Sequence, residues 1–389
     1  MGKRELVLIA VFVVLGIGVY QLTAPPPPPG SEGFSFSGMF QRMKREVQGS
    51  RESAAAHSQE TVSVDASLRE LRVNLTRSND LTIAGEERED VSAEFNVTGR
   101  GFDQAEAKIA AEALKLKVER VGDALVVSLD NSAARSLPRN TNISQLVILL
   151  KVPRRLALRV EPHAGRLIVS HVAGAEIMGS RGETRVAGMS GRLVLTHTGG
   201  PLELEDLPSL KLNSRNSRGS IKQVKGPITV ETNGGELDLS EIVGPLEIEA
   251  RNTELKLDGL KALKGPLRIN STGGEIRVAD LGTEARLDGR NTRIEVALAA
   301  AALVTIYNQG AIRVTAPPGG YKLDAAATEG KITMDDAGPK PTEGSDQRAE
   351  GAVRGGGPTL TLRATRGNIT IEKPSTIEKP GTAEKPAVK

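Results

Sequence analysis

Asn233-Gly-Gly-Glu-Leu-Asp-Leu-Ser240 is followed by Gly244-Pro245-Leu246-Glu-Ile248, and then by Asn252-Thr-Glu-Leu255-Lys-Leu257. Each piece alternates apolar and polar residues, the period of a strand with one buried face, and each is set off by Asn, Gly or Gly-Pro. Working outward, Thr198, Asn216, Asn233, Asn252, Thr272, Asn291, Asn308 and Thr328 recur every 17 to 20 residues. An apolar pair of the form Leu/Ile-x-Leu/Val follows each. Fainter rungs at Ala164 and Arg181 keep the spacing. A fixed period of this length is the signature of a stacked supersecondary unit, so the expected fold is mainly β, a parallel β-solenoid of about ten coils.

Within one coil, Leu237 and Leu239 form one inward pair, and Leu246 and Ile248 form the other beyond the Gly244-Pro245 corner. Leu237, Leu255, Ile276, Ile294 and Ile312 should stack as one inward column. The residues between face out and are expected to read Glu203, Lys222, Asp238, Lys256, Arg277, Glu295, Arg313, mostly alternating in sign, a surface that satisfies its own charge. The Asn and Thr rungs suit turns, because Asn tolerates left-handed backbone.

The chain has 389 residues, no cysteine, 2% aromatic residues, 42 glycines and a formal net charge of +3. Disulfides and thiolate metal sites are excluded, and the charge balance points away from nucleic acid. Lys3 and Arg4 precede Leu6 to Ala24, an uncharged run that as a helix would be about 28 Å long. This reads as an uncleaved anchor with the N-terminus in the cytoplasm, cleavage after Ala24 being the alternative. The expected location is a bacterial inner membrane, single-pass, with the body in the periplasm.

The expected divisions are an anchor at 1–24, a proline-rich juxtamembrane linker at 25–60, an α+β capping region at 61–153, solenoid repeats at 154–334, a disordered insertion at 335–357, final solenoid strands at 358–373 and a disordered Glu-Lys-Pro tail at 374–389. The linker opens with Pro25 to Pro29, an extended spacer. Phe36, Met39, Phe40, Met43 and Val47 then fall at helical spacing, either to lie on membrane or a partner, or as a plain linker helix. In the capping region, Leu71 to Leu75, Leu81 to Ile83, Val91 to Val97, Leu125 to Leu129 and Leu146 to Val152 read as strands. A helix starts at Asp103, with Ala105, Ile109, Ala113 and Leu116 as its expected apolar face.

Asp80-Leu-Thr-Ile-Ala-Gly85, the helix from Asp103 to about Val118, and the units Gly274-Glu-Ile-Arg-Val278, Gly310-Ala-Ile-Arg-Val314 and Gly367-Asn-Ile-Thr-Ile371 together resemble the DUF4097 family of bacterial β-strand-repeat proteins. The likeness spans about residues 61 to 372. It implies a strand-and-helix region followed by repeated strands and an adhesin label, and it brings no catalytic or binding residues with it.

No nucleophile, phosphate-loop or metal-helix motif occurs in the sequence. His57, His163, His171 and His197 are not at ligand spacing, although His171 and His197 could approach across coils. The strongest enzyme case is Glu231 stacked on Glu249, a carboxylate pair of the kind retaining glycosidases use. Against it stands the scarcity of aromatic platforms, almost only Tyr307 and Tyr321. The expected function is therefore a non-catalytic, membrane-anchored adhesive or binding module, monomeric in its exported part, without cofactor or metal, contacting the membrane through Leu6–Ala24 and an unidentified envelope protein or polysaccharide. A structural or signalling spacer and a polysaccharide-cleaving enzyme are the alternatives.

Overall fold

The computed structural model describes residues 52–75, 80–335 and 338–374. The Leu6–Ala24 run, the proline run, the Phe36–Val47 segment and most of the Glu-Lys-Pro tail lie outside the described residues. Among the described residues no helix is long and apolar enough to cross a membrane.

Among the described residues the chain is mainly β, an open sheet of 26 strands with one α-helix. Strand Arg192–Leu207 pairs in parallel with Ser209–Val224, which pairs with Ile228–Ser240, then Leu246–Asp258, then Leu267–Leu281. Each step advances one repeat. The predicted column is present: Leu237 opposes Leu255, Leu255 opposes Ile276, Ile276 opposes Ile294, and Ile294 opposes Ile312. All five are at most 1% exposed. Like residue falls on like residue because the side-chain period is two, and a one-residue slip would turn every leucine to water.

The rungs do not form one column. The Asn233 corner is no break, since strand Ile228–Ser240 runs through it. Position by position, the bend is occupied in turn by Gly199, Asn216, Gly234, Asn252, Gly273 and Asn291, all with φ between 50° and 75°. Gly-Gly corners (199–200, 234–235, 273–274) alternate with Asn-Ser or Asn-Thr corners (216–217, 252–253, 291–292). Both chemistries meet the same need for left-handed backbone. The second residue sits against the neighbouring coil: a Cβ on Gly235 would lie 2.0 Å from the Ser217 carbonyl oxygen, and one on Gly274 would lie 2.2 Å from that of Thr253. The true repeat is two coils. Asn308 departs from the pattern by turning inward, where its Nδ2 donates to the Thr292 and Ala311 carbonyls.

The outward row is corrected at one place. Glu203 opposes Ser220, which opposes Asp238, while Lys222 belongs with Glu205 and Ser240. Gly219 takes the inward place that Leu202 and Leu237 hold on the neighbouring coils, so that coil's first apolar pair is Gly219 and Ile221, which hides the shift in the sequence.

Both ends depart from simple sequential stacking. Strands Glu70–Asn74 and Asp80–Glu86 are sandwiched between Ala124–Asp130 and Asn142–Pro153 on one side and Ala157–Val160 and Leu167–Ser170 on the other. Four strands of the expected capping region thus join the parallel stack of the repeats, while Asp90–Gly101 and Lys115–Val121 pair antiparallel beside them. At the far end, Thr359–Thr365 and Ile369–Glu372 lie between the 304–315 coil and the 321–334 coil. The final strands of the sequence are therefore an inner layer. The segment 335–357, expected to be disordered, carries strand Gln347–Val353, antiparallel to Tyr321–Thr328 and burying Ala349 and Val353. It pairs the edge of the outermost coil, which would otherwise present bare backbone groups.

The helix Gln104–Glu112 is capped by the Asp103 carboxylate, which accepts from the Glu106 amide at 2.9 Å, and Glu106 reaches back to the Phe102 amide at 3.1 Å. Its buried face is Ala107, Ala110 and Ala111, and Ile109 is 53% exposed. The helix is shorter than expected, Leu116 lying on strand Lys115–Val121 instead, and its apolar face is rotated because the helix seats on Gly99 and Gly101 of the neighbouring strand, where only alanines fit: a Cβ on Gly99 would be 2.3 Å from the Ala107 carbonyl oxygen.

Candidate functional site

Two outward rows run side by side along the coils just before the Gly/Asn bend. One reads Asn213, Glu231, Glu249, Asn270, Asp288, Tyr307, Arg363. The other, two residues on, reads Thr198, Arg215, Asn233, Arg251, Thr272, Arg290, Gln309. Arginine therefore returns at every second coil, in the Arg-Asn-Ser/Thr corners, and Arg181, opposite Ala164, continues the series. With about 4.8 Å between coils, the arginines stand about 9.6 Å apart, near one Debye length at moderate salt, so the intervening Thr and Asn residues keep mutual repulsion small.

The rows line two adjoining hollows of about 620 Å³ and 180 Å³, which share Glu249 and Arg251 and so form one shallow groove. Tyr307 lines it near one end, 41% exposed, with the Arg286 guanidinium 5.3 Å from the ring centroid. Arg286 is itself tied to Asp288 at 2.8 Å. Tyr321, the other aromatic singled out in the repeats, is buried.

The two arms of each coil treat charge differently. Beyond the bend, Arg277 meets Glu254 at 2.9 Å, Glu275 at 2.8 Å and Glu295 at 3.6 Å, Lys256 pairs with Glu236 and Glu254, and Arg185 reaches Glu203 at 3.2 Å. Among the described residues, only Arg277 and Glu295 of the predicted row pair with each other; the other acids that satisfy Arg277 and Lys256 are Glu236, Glu254 and Glu275, in the row two residues earlier. Before the bend, Arg181, Arg215, Arg251 and Arg290 are exposed and have no ion-pair partner among the described residues, nor have Glu231 and Glu249.

Glu231 and Glu249 are opposed on neighbouring coils, as expected. Both are exposed, whereas a carboxyl that must keep its proton near neutral pH as a general acid needs an apolar surround. The four histidines are dispersed. His57 bonds to Asn96 at 2.7 Å and His163 to the Arg166 carbonyl at 3.3 Å, while His171 sits at a left-handed turn. His197 is fully buried, with Nε2 on the Gly182 carbonyl at 3.0 Å and Nδ1 on the Ser217 hydroxyl at 2.7 Å. A carbonyl only accepts, so Nε2 carries a proton; in the neutral ring that burial favours, Nδ1 accepts from the Ser217 hydroxyl, whose other acceptor within reach is the Arg215 carbonyl at 3.1 Å. Burial holds the His197 pKa below the ordinary value, opposed by the Gly182 hydrogen bond. Among the described residues, no group of three His, Asp or Glu side chains could hold a metal.

The sequence reading singled out Glu231, Glu249 and Tyr307 but did not join them to the arginines. The signal was present as Arg-Asn-Ser/Thr alternating with Thr/Asn-Gly-Gly, and a single-coil period obscured it.

No family model and no curated protein matches this chain. Solved structures similar to it include a candidate adhesin from Parabacteroides merdae, 12% identical, covering 67% of this chain and 96% of its own, with a TM-score of 0.33. A candidate lipid-binding protein from Parabacteroides distasonis is 14% identical, covers 67% of this chain and 97% of its own, and has a TM-score of 0.32. A candidate cell adhesion protein from Clostridium sporogenes is 12% identical, covers 82% and 100%, and has a TM-score of 0.19. Similarity this distant leaves function to be argued from the residues themselves.

Proposed function

We propose that the chain is a β-solenoid serving as a non-catalytic binding module of a bacterial envelope, tethered through Leu6–Ala24 with its body in the periplasm. The observation that carries this reading is the asymmetry between the two arms of the coils. Stacking in register converts one outward position into a continuous row; beyond the bend Arg277 and Lys256 are held by ion pairs, whereas before it Arg215, Arg251, Arg290, Glu231 and Glu249 stand open to solvent along a groove, with Asp288 and Arg363 tied to Arg286 and Asp324. Surface ion pairs contribute little to stability, so the open charges cost the fold little and are free for a partner. The exposed carboxylates and the scattered histidines favour binding over catalysis.

Two measurements test the reading. Reporter fusions after Gly30 should place the body outside the cytoplasm. The purified full-length protein should bind washed envelope fractions saturably, without releasing reducing sugar from them. Absence of saturable binding, or release of sugar that is lost in Glu231→Gln/Glu249→Gln, would overturn it.

A further inference from the structure

From the groove's side chains we infer that its ligand is an uncharged polysaccharide laid lengthwise across the coils, contacted in subsites that repeat every two coils. This rests on the binding-module reading and names its ligand class.

Glu249 and Arg251 share a coil, as do Asp288 and Arg290, with the amide and hydroxyl of Asn270 and Thr272 on the coil between. Residues i and i+2 of a strand are about 6.6 Å apart, and neither pair closes into an ion pair among the described residues. A carboxylate only accepts hydrogen bonds and a guanidinium only donates them, whereas a sugar hydroxyl does both. Glu249 and Arg251, an open acid and base side by side, therefore match neighbouring hydroxyls; at the next such pair Arg290 is open while Asp288 is held by Arg286, and Asn270 and Thr272 between them extend the match.

Charge selects against the other polymers. A polyanion following the arginines would run past Glu231, Glu249 and Asp288, and a polycation would meet Arg215, Arg251 and Arg290. Tyr307, braced by Arg286 at one end of the groove, supplies an apolar ring for a sugar face. From Asn213 to Arg363 the row crosses seven coils, about 30 Å, enough for several sugar residues. A two-coil subsite is close to the length of an extended disaccharide, so successive disaccharides of a chain would meet Arg215, Arg251 and Arg290 at equivalent places, beside Asn213, Glu249 and Asp288 respectively.

The test is affinity electrophoresis of the full-length protein in nonionic detergent, through native gels holding hydroxyethylcellulose, xyloglucan, mannan or dextran, with alginate as the polyanionic arm. At least one uncharged polymer should retard the protein while alginate does not. Arg251→Ala/Arg290→Ala should weaken that retardation at least tenfold, Glu249→Gln should weaken it, and Arg277→Ala, on the other arm, should leave it unchanged. Retardation by alginate alone, by none of the uncharged polymers, or equally in the double variant would overturn the assignment. If wild-type protein still binds envelope fractions saturably in such a case, the ligand assignment falls and the module reading stands; if that binding is also absent, both fall.

Discussion

Asn252 lays its side-chain oxygen over Gly273 of the next coil, 2.5 Å from where a Cβ on that glycine would stand, and Asn216 does the same over Gly234. Both partners of each pair hold left-handed backbone. The alternation of Asn and Gly along the bend is therefore steric as well as conformational: the coil with a side chain at the bend needs a neighbour without one.

The two glycines of a corner should respond differently. Gly273→Ala meets the end of a side chain that can swing away, while Gly274→Ala drives a Cβ into the Thr253 carbonyl, and both carry left-handed strain of about 1–3 kcal/mol. Chemical denaturation should show Gly274→Ala as the more damaging of the two. Asn252→Gly should be near neutral, since it retains the conformation. Equal and small effects at Gly273 and Gly274 would mean the coils are further apart than the register requires.

Replacing Ile276 by Asp places a carboxylate in a fully buried column and should cost several kcal/mol. Arg277→Ala, one residue away, removes only exposed ion pairs and should cost under about 1 kcal/mol. Thermal melts of the two variants separate inward from outward positions directly.

The apolar pairs made the strands and their inward column legible, because only a period of two gives a buried face to Leu237 and Leu239, and to Ile276 and Val278. The corners were half legible. Asn216, Asn252 and Asn291 marked bends correctly, but Asn233 precedes its bend and takes an outward place, since Gly234 already supplies the left-handed residue. The order of the end coils could not be read. Thr359–Thr365 has the same pattern as any other coil strand, and parallel stacking involves no local turn that would say which neighbours it joins. The groove was missed for a related reason, because Glu249 and Asn270, or Asp288 and Tyr307, become neighbours only once the coils are set in register.

Because Thr359–Thr365 and Ile369–Glu372 are an inner layer, ending the chain at residue 357 should do more than shorten it. The 321–334 coil would lose its parallel partners, and Gln347–Val353, which pairs only with that coil, would lose its support. Limited proteolysis should then remove everything beyond about Thr315 as one unit. A fragment protected through Val353 would contradict the order of the end coils.

Acid sensitivity should trace in part to His197. Its folded pKa lies below the unfolded value, so the unfolded chain binds the proton more readily. The contribution of the neutral, buried ring is complete above about 6.5 and is lost as pH falls through the interval down to the folded pKa. Melting temperatures at pH 7.5 and 5.5 should differ less in His197→Gln than in the wild type, with the variant somewhat less stable at the higher pH. An unchanged difference would assign the acid sensitivity to carboxylates.

The most direct measurement of the stacked register uses the absence of native cysteine. Asn213 and Glu231 oppose each other on adjacent coils, while Asn213 and Glu249 are two coils apart. A disulfide spans Cα separations of about 4.4–6.8 Å, which one coil step satisfies and two do not. Asn213→Cys/Glu231→Cys should oxidise to an intramolecular disulfide while Asn213→Cys/Glu249→Cys stays reduced under the same conditions, read by electrophoretic mobility and intact mass. Oxidation of the second pair, or failure of the first in folded protein, would contradict the stacked register.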